Sequence, residues 1–142
     1  MIIEKLKKKD LVSYKHLIDE CFDGSNSIEY YKEKYDENNQ NYEILVAKDE
    51  DKIVGSVTIV KLQLFTFSFQ PALEIFNVAV LKKYRGRKIA KELLNNIISY
   101  AKDNGYKSLV LTCLDTAHDA HYLYESVGFK KTSSIKYNLH LE

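Results

Sequence analysis

Two periods of hydrophobic spacing alternate along the chain, and the switches between them outline the elements. Residues 2–6 (IIEKL) read as a short strand. From Asp10 the apolar positions Leu11, Tyr14, Leu17, Ile18 and Cys21 recur at helical spacing, and Asp10 stands where an N-cap belongs. Gly24 and Ser25 break that helix, and Ser27 can cap a second, tyrosine-rich one through about Tyr35. DENNQN (36–41) reads as a polar loop. YEILVAK (42–48), the turn DEDK (49–52) and IVGSVTIV (53–60) then read as a hairpin of two strands. In the segment 61–71 the alternation slips near Leu64–Phe65, leaving strand, loop and partner surface all open; Pro71 ends it.

LEIFNVAV (73–80) predicts a strand, with Glu74, Phe76, Val78 and Val80 on one face by strict alternation. Ile89, Leu93, Leu94, Ile97, Ile98 and Ala101 predict a helix over 88–104, stopped by Asn104-Gly105. SLVLTCL (108–114) is apolar enough for a strand buried on both faces. Residues 116–127 predict a helix ended by Gly128, and SIKYNLHL (134–141) alternates as a last strand. The order β-α-α-β-β-β-α-β-α-β is a mixed α/β domain. Its 73–114 unit requires a parallel strand pair joined by a right-handed crossover. No linker or internal repeat interrupts it, so residues 1–142 are expected to form a single domain.

Charge changes this picture in one place. The overall balance is +1, which favours neither nucleic acid nor an anionic membrane as partner. Residues 19–51, however, hold eleven acids against three lysines, and 82–107 hold eight bases against two acids. Lys82, Lys83, Arg85, Arg87 and Lys88 crowd the start of a helix, where the open N–H groups and the dipole favour anions. Cations are tolerable there if a multiply charged anion neutralises them. With Gly86 to bend the backbone, the loop reads as a phosphate cradle. It is neither a P-loop nor a Rossmann fingerprint, since the glycine spacings of both are missing.

NVAVLKKYRGRKIAKELL followed by AHDAHYLYESVGF resembles the GCN5-related N-acetyltransferases (GNAT). The resemblance covers essentially the whole chain and implies a centrally splayed, mixed β-sheet flanked by helices. It implies that backbone groups of Arg85, Gly86, Arg87, Lys88, Ile89, Ala90 and Lys91 hold the pyrophosphate of acetyl-coenzyme A. Lys88 stands where relatives usually carry a glycine, and Ala117 where many carry an asparagine. Main-chain groups of Val78, Ala79 and Val80 are implied to meet the pantetheine arm and acetyl carbonyl. Tyr124, four residues before Gly128, is implied to protonate the departing thiolate, and Glu74 is the candidate base.

The activity implied is direct transfer of acetyl from acetyl-coenzyme A to a primary amine in a ternary complex. The acidic N-terminal third points to a cationic acceptor: a polyamine, an amino sugar, a lysine or an N-terminal amine. A non-catalytic acyl-coenzyme A-binding module is the alternative, and RNA binding through the short basic loop is weaker. Both lone cysteines, Cys21 and Cys113, read as reduced thiols. Cys113 could carry an acyl group, though direct transfer is the stronger reading. With no apolar run near ~18 residues, a cytoplasmic location is expected. His118 and His121 lie at i, i+3 with no third ligand in view, so no metal is expected. A homodimer is left open.

Overall fold

The computed structural model describes residues 1–37, 42–64 and 70–142. Residues 65–69, in the segment whose alternation slips near Leu64–Phe65, and most of the polar loop, 38–41, lie outside them. The chain divides into two compact units, Met1–Thr112 and Cys113–Glu142.

The first unit holds β1 (Ile2–Lys5), α1 (Leu11–Phe22), α2 (Ile28–Asp36), β2 (Tyr42–Asp49), β3 (Lys52–Leu62), β4 (Ala72–Val80), α3 (Ile89–Asp103) and β5 (Ser108–Val110). The sheet order is β1-β2-β3-β4-β5. The first four strands pair antiparallel, and β4 pairs parallel with β5, as the crossover through α3 demands. Leu93, Leu94, Ile97 and Ala101 of α3 are buried, as are Leu11, Tyr14 and Leu17 of α1, along with Val46, Val57, Ile59, Leu73 and Ile75 of the sheet.

The predicted caps divide. Ser27 Oγ accepts the Tyr30 N–H at 3.1 Å and starts α2. Asp10 is the N-cap of α1 but makes no cap bond. Its carboxylate turns into the protein and accepts from Lys48 Nζ at 3.1 Å, with both groups nearly inaccessible. A buried ammonium without a partner costs far more than an unmade cap bond, so the ion pair wins. At Asn104-Gly105 the predicted stop of α3 is a Schellman closure, with Tyr106 N–H on the Ala101 carbonyl at 3.0 Å.

Two expectations are corrected. β5 ends at Val110, four residues earlier than the apolar run implies. Residues 134–141 carry no strand ladder among the described residues, and Ile135, Tyr137, Leu139 and Leu141 are exposed. Alternation identifies a segment able to lie in a sheet; without a hydrogen-bonding neighbour it has no ladder to join. The second unit's regular element is therefore α4 (His118–Ser126).

Burial of the Tyr14 phenol pushes its pKa up to about 12. The folded state holds this proton to higher pH than the unfolded chain, whose phenol titrates near 10. Its contribution is therefore complete below about pH 10 and is lost as pH rises toward 12, by up to about 3 kcal/mol. Urea melts across this range should show stability falling with pH, with a shallower slope in Tyr14→Phe.

Candidate functional site

The decisive irregularity lies in β4. Phe76 pairs with Thr58 and Ala79 with Ser56, so Asn77 and Val78 together oppose Val57. This is a β-bulge, with Asn77 at a left-handed φ of 54° that asparagine tolerates better than most side chains. The extra residue reverses the strand's phase. Glu74 and Phe76 share a face with Val60 and Thr58, while Val80 sits opposite Gly55. A side chain built on Gly55 would strike Ile89 and Leu93, so that row faces α3. The expectation that Glu74, Phe76, Val78 and Val80 share one face is thus corrected: the bulge divides them.

The other edge of β4 is open as well. β5 pairs only with Ala72, Leu73 and Glu74, so among the described residues no strand ladders onto that edge from Ile75 to Val80. Bulge and open edge together leave main-chain groups around Asn77 and Val78 outside the ladder. The Val80 carbonyl is taken up within the chain: it accepts from Arg85 Nε at 3.1 Å and from the Cys21 thiol at 3.6 Å.

Downstream, Lys82–Tyr84 form one 3-10 turn, anchored to α1 by the Lys82 N–H on Glu20 Oε2 at 2.9 Å. Gly86 (φ 81°) and Lys88 (φ 63°) both take left-handed conformations ahead of α3. Glu92 is the first residue whose N–H bonds back into the helix, to the Lys88 carbonyl at 3.0 Å. The amides of Ile89, Ala90 and Lys91 therefore emerge at the helix start without intrahelical partners. Alternating left-handed turns and a helix N-terminus make an anion-binding concavity. Arg87 stacks over the Tyr84 ring at 4.8 Å, and the Tyr84 hydroxyl donates to Asp49 at 3.0 Å. Among the described residues Lys83, Arg87, Lys88 and Lys91 enter no ion pair. This arrangement suits a diphosphate-bearing ligand.

Lys88 occupies a backbone conformation that costs an L-residue roughly 1–2 kcal/mol and glycine little. Lys88→Gly should therefore raise stability by about 1 kcal/mol in a denaturant melt. A destabilised variant would show that Lys88 is unstrained.

In the second unit, the Tyr-x-x-x-Gly-Phe stretch has a structural explanation. Gly128 (φ 109°) is the left-handed residue of a Schellman closure: its N–H bonds the Glu125 carbonyl at 3.1 Å, and the Phe129 N–H bonds the Tyr124 carbonyl at 3.0 Å. The accompanying contact is aromatic, with the Tyr124 and Phe129 rings edge to face at 6.1 Å. Burial, and then the nearby Cys113, raise the Tyr124 pKa. His121 approaches the Cys113 thiol within 3.9–4.0 Å, and its Nε2 lies 2.9 Å from the Leu114 carbonyl, which fits an Nε2–H donor. No cluster of metal-ligating side chains occurs among the described residues.

The acetyltransferase (GNAT) family model matches residues 11–129. The chain belongs to this family. Human N-acetyltransferase 8B is 37% identical over 87 residues, covering 61% of this chain and 38% of that protein. An uncharacterized N-acetyltransferase of Schizosaccharomyces pombe is 35% identical over 96 residues, covering 67% and 56%. The GNAT chain thus spans well under two thirds of the length of these curated relatives. Two solved structures share the fold over 99% of both chains. One is a transcriptional regulator from Bacillus halodurans C-125 (TM-score 0.87, 23% identity), the other a Trypanosoma brucei acetyltransferase (0.85, 21%).

Sequence reasoning missed Asn77, whose bulge opens β4, and the Glu20 and Cys21 contacts that tie α1 to the loop. An asparagine inside an apolar strand was the one available signal.

Proposed function

We infer that this GNAT domain, residues 1–142, transfers acetyl from acetyl-coenzyme A to a primary amine by direct attack in a ternary complex. The observation that carries the reading is the run from an opened, bulged β4 into a left-handed loop and an uncapped, cationic helix start. Amides of Gly86 to Lys91, with Arg87 and Lys88, would hold the pyrophosphate. Main-chain groups of Val78 and Ala79 would orient the pantetheine arm and acetyl carbonyl. Acetyl-coenzyme A supplies the activated thioester.

The acceptor arrives as a cation and must lose a proton. At neutral pH this costs about 4.6 kcal/mol for a lysine-like amine. Glu74 is assigned to accept that proton, directly or through water, and Tyr124 to protonate the leaving thiolate. A raised phenol pKa keeps Tyr124 protonated at neutral pH, the form a proton donor requires. No described helix is long and apolar enough to cross a membrane. Free Cys21 and Cys113 accord with a reducing, cytoplasmic setting.

Free-thiol release from acetyl-coenzyme A with a panel of amines tests the reading. Amine-dependent release is expected; binding of coenzyme A with no release for any amine would point instead to a non-catalytic module. Glu74→Gln should lower kcat/KM about 10²-fold at neutral pH. An unchanged kcat/KM would end the base assignment.

A further inference from the structure

A thiol and an imidazole meet in the second unit. Cys113 lies ahead of α4, and His121 stands within that helix. The Cys113 sulfur is 4.0 Å from His121 Nδ1 and 3.9 Å from Nε2, within reach of a thiol hydrogen bond. The thiol is exposed, so a dissolved reagent can reach it.

The imidazole is held in place. The His121 main-chain N–H bonds to the Ala117 carbonyl at 3.0 Å and fixes its backbone in α4. Nε2 lies 2.9 Å from the Leu114 carbonyl, which also accepts the Ala117 N–H at 3.1 Å. The carbonyl thus has a donor without the ring, whereas the ring gains a fixed tautomer from the carbonyl. With the hydrogen on Nε2, Nδ1 carries the lone pair and can take the thiol proton. A nucleophile, a base within reach of it and a third group orienting that base are the parts that covalent catalysis requires. Such contacts are often long in a free site and tighten when substrate binds.

Cys21 offers a contrast within the same chain. Its half-buried thiol donates to the Val80 carbonyl at 3.6 Å, a partner that does not remove a proton. Cys113, in turn, has a second neighbour. One helical turn beyond His121 on α4 is Tyr124, whose phenol feels the Cys113 charge. The thiol therefore lies beside the residue assigned above to the departing thiolate of coenzyme A.

We propose that Cys113, with His121 as its base, is a covalent acyl site that exchanges acetyl between thioesters when no amine is bound. The proposal rests on the acetyl-coenzyme A part of the reading above and adds a second activity to it. The Cys113 sulfur forms a bond to the acetyl carbonyl carbon as the bond from that carbon to the coenzyme sulfur breaks. The thiol proton passes to His121 Nδ1 and from there to the departing thiolate. One thioester replaces another, so the step is reversible and consumes neither oxidant nor reductant.

The test is isotope exchange without amine. The protein is incubated with acetyl-coenzyme A and labelled free coenzyme A. Label should enter acetyl-coenzyme A, and the intact mass should show a single added acetyl group. Peptide mapping should place that group on Cys113 rather than Cys21, and neutral hydroxylamine should remove it, as it does a thioester. His121→Gln keeps a donor for the Leu114 carbonyl and loses the basic nitrogen; it should slow both exchange and acetylation about 10²-fold with an unchanged thermal melt. Equal rates in wild type and His121→Gln would mark an ordinary exposed thiol and overturn the proposal. Exchange without amine-dependent thiol release would support the acyl site and refute the transfer reading. Amine-dependent release with neither exchange nor acetyl on Cys113 would overturn the acyl site and leave the transfer reading standing.

Discussion

Tyr124→Phe will lower kcat for acetyl transfer about 10²-fold or more, with little change in the affinity for coenzyme A. The substitution keeps the ring against Phe129 and leaves both Schellman hydrogen bonds intact, since these are made by main-chain atoms. Only the phenolic hydroxyl goes. Stability should be unchanged, so a thermal melt alongside the kinetics separates loss of a donor from loss of fold. The pH dependence follows from the direction of the shift. Burial moves the phenol above its ordinary value of about 10, so the donor stays protonated across the neutral range. Its loss should appear only as an alkaline limb beyond that value, absent in the variant. Wild-type turnover in Tyr124→Phe would remove the assignment.

The second large effect is expected on binding. Arg87→Glu combined with Lys88→Glu reverses two charges at the entrance to α3. Each charge-assisted contact with a phosphate contributes roughly 1.5–3 kcal/mol, so removing two should weaken coenzyme A binding by about 10²-fold at least. Calorimetry at two salt concentrations checks it: the wild type should lose affinity with salt more steeply than the variant. Desulfo-coenzyme A, which keeps the diphosphate, should suffer equally, whereas acetyl-pantetheine, which lacks it, should be indifferent. Equal affinity of variant and wild type for coenzyme A would mean that the diphosphate docks elsewhere.

How much of this the sequence disclosed depends on the range of the interaction. Features set by neighbouring residues were readable. Ser27 caps α2, Asn104-Gly105 ends α3, and the crowded cations mark a loop whose backbone then turns through two left-handed residues. Features set by distant partners were not. Asp10 occupies a cap position, yet its carboxylate goes to Lys48, thirty-eight residues away. In LEIFNVAV the polar Asn77 marks an irregularity, but that it leaves the ladder follows only from pairing with β3. SIKYNLHL shows the reverse error, a strand pattern without a ladder. A tyrosine-lined cavity between α1, α2 and the sheet was equally hidden, because its tyrosines come from two helices and a strand and meet only on folding.

The bulge also makes the numbering of β4 unforgiving. Residues upstream of Asn77 and residues downstream point in register with different layers of the molecule. A loop elsewhere can gain or lose a residue at small cost. Here a single deletion would straighten the ribbon and roll one half of it over, turning either Glu74 toward α3 or Val80 away from it. Length variation among natural homologues should therefore collect in the connections around this strand and leave the stretch from Glu74 to Val80 at constant length.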